Sequence, residues 1–189
     1  YTPTADNQSV INFSGGYSTL TGVQVYLVGA ADYICTGITV TSNIGSALYT
    51  ASVLDRRTGP ITKAFVGFAL SGSGGFDIVD PNASCRVNYS SANVILYLIA
   101  CTGTFSSRGG TCTFEDTSGT FSGTVVGVYI ASASTKPRIM SSLVARITGI
   151  SGGTATGFQI NSSGGVAEFQ FVGCTMFING FTTEYITDT

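Results

Sequence analysis

Ten carboxylates and no histidine bound the chemistry open to this chain of 189 residues. Asp77 and Asp80 lie in Phe76-Asp77-Ile78-Val79-Asp80-Pro81, and Glu115 adjoins Asp116. Paired acids can cleave a glycosidic bond, one as the acid and the other as base or nucleophile. They can also hold calcium through oxygen ligands. Neither pair has the regular acidic spacing of a calcium loop, and residues three apart on one strand point to opposite faces. Asp80-Pro81-Asn82 has the composition of a turn. The acids therefore read as structural or solvated. A carbohydrate-cleaving or carbohydrate-binding module would need Asp77, Asp80, Glu115 or Glu168 to converge in a groove.

The absence of histidine excludes Ser-His-Asp and Cys-His catalysis and histidine metal sites. No catalytic residue, cofactor or metal ligand is assigned, and the chain reads as a non-enzyme. Asp55-Arg56-Arg57 holds the one cluster of positive charge. An arginine pair can grip a carboxylate of a sugar acid or of a neighbouring subunit, and its place before Thr58-Gly59-Pro60 also suits a solvated strand end. Lys63 and Lys136 are the only lysines, with no Asn and carboxylate fixed beside either for a covalent Lys–Asn bond.

Five cysteines occur, Cys35, Cys85, Cys101, Cys112 and Cys174, without a CxxC pair. Cys101 and Cys112 flank Ser106-Ser107-Arg108-Gly109-Gly110, a hairpin-like tip across which they could form a disulfide. The alternative is five buried thiols packing as small apolar groups. An odd count leaves at least one thiol outside an intrachain disulfide. Asn7, Asn12, Asn82, Asn88 and Asn161 stand in N-x-S/T sequons, which are glycosylation sites only in a host that modifies asparagine.

The elements that would position these groups are strands. Hydrophobic residues make up 43% of the chain and charged residues 10%, well below the usual quarter or so. Gly, Ser and Thr supply over a third of it, and helix formers are scarce. Eight basic residues at a net charge of −2 leave no basic stripe for nucleic acid. No apolar run reaches the ~18–20 residues of a membrane helix. The chain starts at Tyr1 and reads as a processed product or a fragment.

Apolar residues alternate with period two in segment after segment. Strands are predicted over Val23–Val28, Ile34–Val40, Ala47–Leu54, Ala64–Leu70, Phe76–Val79, Val94–Phe105, Thr111–Glu115, Thr120–Ala131, Leu143–Ile150, Gly157–Ile160, Val166–Ile178 and Thr182–Ile186. Gly-, Ser- and Pro-rich turns separate them. Ala133–Ser142, with Pro137, reads as a loop or one short turn. The fold class is all-β, of many short strands with little or no helix: a β-sandwich or jelly roll, or a parallel β-helix. Residues 1–13 form an N-terminal segment and 14–189 a single all-β domain. Within that segment Ser9, Val10, Ile11, Asn12 and Phe13 are either an ordinary first strand or a donor strand that completes a neighbour's sheet.

Gly157-Phe158-Gln159-Ile160 and Phe169-Gln170-Phe171-Val172-Gly173-Cys174-Thr175-Met176-Phe177 set a cadence of short apolar strands and small-residue turns. Over residues 94–186 this cadence resembles the rungs of parallel β-helices in bacteriophage tail spikes and fibres. The resemblance implies a structural or attachment protein of a viral fibre or spike, homo-oligomeric and displayed outside the cell or on the virion. Its partners would be copies of itself and a surface glycan or receptor, with no nucleic acid and no membrane insertion. The competing reading is an extracellular, pilus-like filament subunit that polymerises by donor-strand exchange.

Overall fold

The computed structural model of the chain describes residues 1–30, 32–58, 63–87, 95–131, 138–149, 153–161 and 169–188. Among them are nineteen strands and no helix. The first rung holds β1 (Gln8–Gly15), β2 (Ser18–Thr21) and β3 (Gln24–Leu27). The next holds β4 (Cys35–Ser42), β5 (Ser46–Tyr49) and β6 (Ser52–Asp55), and the third β7 (Phe65–Ser71), β8 (Gly75–Val79) and β9 (Asn82–Val87). Then come β10 (Ile95–Cys101), β11 (Thr104–Arg108) and β12 (Thr111–Asp116), followed by β13 (Thr124–Ala131), β14 (Arg138–Ser141) and β15 (Val144–Thr148). The last full rung is β16 (Thr154–Asn161), β17 (Phe169–Val172) and β18 (Thr175–Asn179), and β19 (Thr182–Asp188) opens another.

Each strand pairs in parallel with the strand three places on, which builds three sheets. Face A is the seven-stranded sheet β1-β4-β7-β10-β13-β16-β19. Face B runs from β2 to β17 and face C from β3 to β18, six strands each. The chain is a parallel β-helix. Neighbours in the stack, such as Thr41 and Ser71, are 30 residues apart in sequence. Of the two architectures left open by the sequence, the sandwich is excluded because no described pairing is antiparallel.

Corners explain why the chain keeps turning. Two residues join face B to face C in all six rungs, and the first of them is left-handed: Gly22, Thr50, Asp80, Gly109, Ser142 and Gly173 all have φ between 49° and 66° or at 68°. Stacked corners bond to one another. Thr50 N donates to Val79 O at 2.8 Å, Asp80 N to Arg108 O at 2.8 Å and Gly109 N to Ser141 O at 2.8 Å. The ladder therefore continues around the bend through the first corner residue of each rung.

The core fills the tube between the faces. Ile38, Phe68, Ile99, Val128 and Phe158 stack inward from face A, Leu48, Ile78 and Met140 from face B, and Val53, Ala83, Cys112 and Ala145 from face C, all essentially inaccessible. Each buried Phe or Leu contributes about 1.5–3 kcal/mol from removal of apolar surface. Face A and face C approach closely inside: a Cβ on Gly37 would strike the Val53 side chain, and one on Gly67 would come within 3.2 Å of the Ala83 Cβ. Phe114, Phe121 and Phe181 pack tilted or edge to face at 5.1–6.2 Å to close the C-to-A side.

Several expectations change. Val94–Phe105 is not one strand, because the chain turns at Thr102-Gly103 and passes from face A to face B. Val166–Ile178 likewise breaks at Gly173, whose φ is 62°. Arg138–Ser141, expected in a loop, is β14, where Met140 enters the core and Ile139 faces out. The strand β1 runs across the expected boundary between residues 13 and 14.

Candidate interaction faces

Face A is the broadest surface and the least charged. Its strands β1, β4, β7, β10, β13 and β16 contain no Asp, Glu, Lys or Arg; the first acids appear in β19, at Glu184 and Asp188. The other sheets carry charge throughout their middle: Asp77 and Arg108 on face B, and Arg86, Glu115 and Arg146 on face C. Outward positions of face A form columns, one of which reads Asn12, Thr39, Ala69, Ala100, Tyr129 and Gln159. Two alanines thus occupy the middle of the column and amides its ends. Two pairs of hydroxyls are partnered within the face: Ser9 Oγ and Thr39 Oγ1 lie 2.7 Å apart, and Thr41 Oγ1 and Ser71 Oγ 2.9 Å. Such a surface can lose water at low cost, since these hydroxyls keep their hydrogen bonds and no ion on these six strands must be desolvated.

Ser9, Val10, Ile11, Asn12 and Phe13 belong to β1, which pairs with β4 of the same chain from Gln8↔Cys35 to Gly15↔Ser42. The segment before it folds over the end of the tube. Tyr1 N donates to Tyr26 O at 2.8 Å, and Val28 N donates to Tyr1 O at 2.9 Å. Asp6 accepts from Ile34 N and pairs with Lys63 Nζ at 2.7 Å, which holds the Asp6 carboxyl below its ordinary pKa.

The hairpin expected between Cys101 and Cys112 is not formed. Cys101 ends β10 on face A, Cys112 lies in β12 on face C, and β11 on face B stands between them. No disulfide occurs among the described residues. Burial pushes the Cys35 and Cys112 thiols up to about 12 and raises Cys85 well above its ordinary value.

The Asp55-Arg56-Arg57 cluster divides. Asp55 and Arg57 point into the tube, 0% and 1% exposed, so Arg57 is not a solvated strand end. Its Nη2 meets Asp55 Oδ2 at 2.7 Å, its Nε donates to Asp55 Oδ1 at 3.0 Å and its Nη1 to Tyr33 O at 2.9 Å. Burial alone would lower the guanidinium's pKa, but the bonds and charge of Asp55 raise it. Arg56 is exposed and reaches Ser84 Oγ at 3.1 Å.

The carboxylates singled out by the sequence are spread over the molecule. Asp77 lies on the outside of face B, bonded to Ser106 Oγ and Arg108 Nη2. Asp80 is a left-handed corner residue with φ 49°. Glu115 lies on face C, paired with Arg86 at 3.2 Å. Glu168, Lys136 and Asn88 lie outside the described residues. Asn7 is exposed at φ 60°, Asn12 and Asn82 sit in β1 and β9, and Asn161 ends β16. No group of three or more Cys, Asp or Glu among the described residues is placed to hold a metal ion.

The fold defines a class, the three-faced parallel β-helices. Neither a protein-family model, nor a curated protein, nor a solved structure matches the chain.

Proposed function

We propose that this chain is a non-enzymatic structural or attachment protein of the viral fibre or spike type, which associates with copies of itself through face A and is displayed at a surface. One observation carries the reading: six successive strands of one sheet hold no Asp, Glu, Lys or Arg in a chain that places charges on its other two sheets. Depletion of charge from the middle of a patch is the mark of surfaces that become buried on association.

The size of the face agrees. Six strands about 4.8 Å apart, each with about seven residues rising about 3.3 Å, span roughly 650 Å². A stable interface buries about 800 Å² on each partner. The long axis of a β-helix also lets identical faces meet along several rungs at once, the geometry of a closed homo-oligomer.

Negative-stain electron microscopy with sedimentation velocity tests this. Discrete closed oligomers, elongated along the helix axis, are expected. Monodisperse monomers at micromolar concentration would contradict the proposal.

A further inference from the structure

Face C carries what face A lacks. One outward column reads Tyr26, Leu54, Ser84, Thr113, Arg146 and Phe177. A second column contains Arg86, Glu115, Thr148 and Asn179. Arg56 follows β6 directly, and because Asp55 pairs with Cys85 it lies in the rung next to Arg86. Arg56, Arg86 and Arg146 are all exposed.

Two like charges in adjoining rungs, about 4.8 Å apart along the stack, repel and cost stability. Glu115 relieves only part of this, through its pair with Arg86. With only eight basic residues in the chain, and a whole neighbouring face built without any, this grouping is not forced by the fold.

The guanidinium groups are held in place by their surroundings. Arg56 donates to Asp55 O at 3.0 Å and to Ser84 Oγ at 3.1 Å. Arg146 lies over the Phe177 ring at 5.0 Å from its centroid. Each guanidinium has five donors, of which those contacts occupy a part. At the two ends of the same column, Tyr26 and Phe177 are 49% and 46% exposed. Exposed aromatic faces stack on sugar rings, and guanidinium groups take carboxylates in a fork.

We propose that face C binds an acidic polysaccharide, with its carboxylates on Arg56, Arg86 and Arg146 and its rings along the column from Tyr26 to Phe177. A carboxylated glycan fits better than nucleic acid, whose phosphates call for a denser basic stripe than three arginines on a chain of net charge −2. The inference deepens the attachment reading and rests on it, but uses a different face from the one that assembles.

The test is isothermal titration calorimetry of the whole chain against polygalacturonate oligosaccharides, neutral dextran oligosaccharides and single-stranded DNA. Binding to polygalacturonate alone is expected, weakened by added salt. Arg86→Gln with Arg146→Gln should lower the affinity at least about tenfold, while Arg108→Gln on face B should leave it unchanged. Circular dichroism melting confirms that the variants fold. No heat with polygalacturonate, equal affinity in the double variant, or DNA bound as tightly would overturn the proposal. Sedimentation of the same samples separates the two readings: a monomer that binds the glycan removes the assembly and keeps this site, and an oligomer that does not bind it does the reverse.

Discussion

Asp55 and Arg57 are two residues apart and both face the inside of the tube, where they form an ion pair at 2.7 Å in the column that otherwise holds Leu27, Cys85, Phe114 and Ile147. Breaking a buried pair by removing one partner leaves an uncompensated charge and costs about 3–5 kcal/mol. Asp55→Ala should therefore lower the urea midpoint strongly. Asp55→Leu combined with Arg57→Met should recover much of the loss, because a well-packed apolar pair can replace a buried ionic one. If both variants are equally unstable, the pair is not acting through its charge.

The left-handed corners give a prediction of opposite sign. Thr50 adopts φ 51°, a conformation that a β-branched residue reaches only under strain. Thr50→Gly should raise stability by about 1 kcal/mol. Gly109→Ala should lower it, since the new methyl group would meet the Asp80 carboxylate. Thermal melting of the two variants compares them directly, and a stabilising Gly109→Ala would show that the corner is built differently.

Ser107 occupies an interior place between Ile78 and Met140 on face B, and its Oγ has no hydrogen-bond partner among the described residues. A buried, unsatisfied hydroxyl costs about 1–3 kcal/mol. Ser107→Ala should be neutral or stabilising. A loss above about 1 kcal/mol would mean that the hydroxyl is satisfied by water in solution.

Buried thiols make stability fall in alkali. The folded Cys35 and Cys112 ionise at about 12 against an ordinary 9.0, so above pH 9.0 the unfolded chain loses protons that the folded chain keeps. Their contribution is fully present below that pH and disappears as pH rises toward the folded values. Urea midpoints should decline between about pH 8 and about pH 11, and more shallowly in Cys35→Ala with Cys112→Ala. Identical slopes would contradict the role given to these thiols.

The strands were readable from alternation, and the left-handed corners in part from Gly22, Gly109 and Gly173. The coiling was harder to read. Thr36-Gly37-Ile38-Thr39-Val40, Val66-Gly67-Phe68-Ala69-Leu70, Val126-Gly127-Val128-Tyr129-Ile130 and Thr156-Gly157-Phe158-Gln159-Ile160 repeat one pattern, stacked in register on face A. Leu98 replaces the glycine in the rung between, and connections of unequal length shift the spacing, so the repeat is not exact. The inward turn of Arg57 was hidden because strand register, not local sequence, decides which side of β6 faces the core. The missing charges of face A are plain in each strand, but they become a surface only when strands about 30 residues apart are stacked.

Ala69 stands near the centre of face A, between Thr39 and Ala100, and points outward. Sedimentation velocity of the whole chain and of Ala69→Lys, at matched micromolar concentrations, tests self-association through this face most directly. A lysine there would place a charge in the middle of the contact and leave the core untouched. The wild-type chain should sediment as an oligomer and the variant as a folded monomer. An oligomer of unchanged size in the variant, or a wild-type monomer, would contradict assembly through face A.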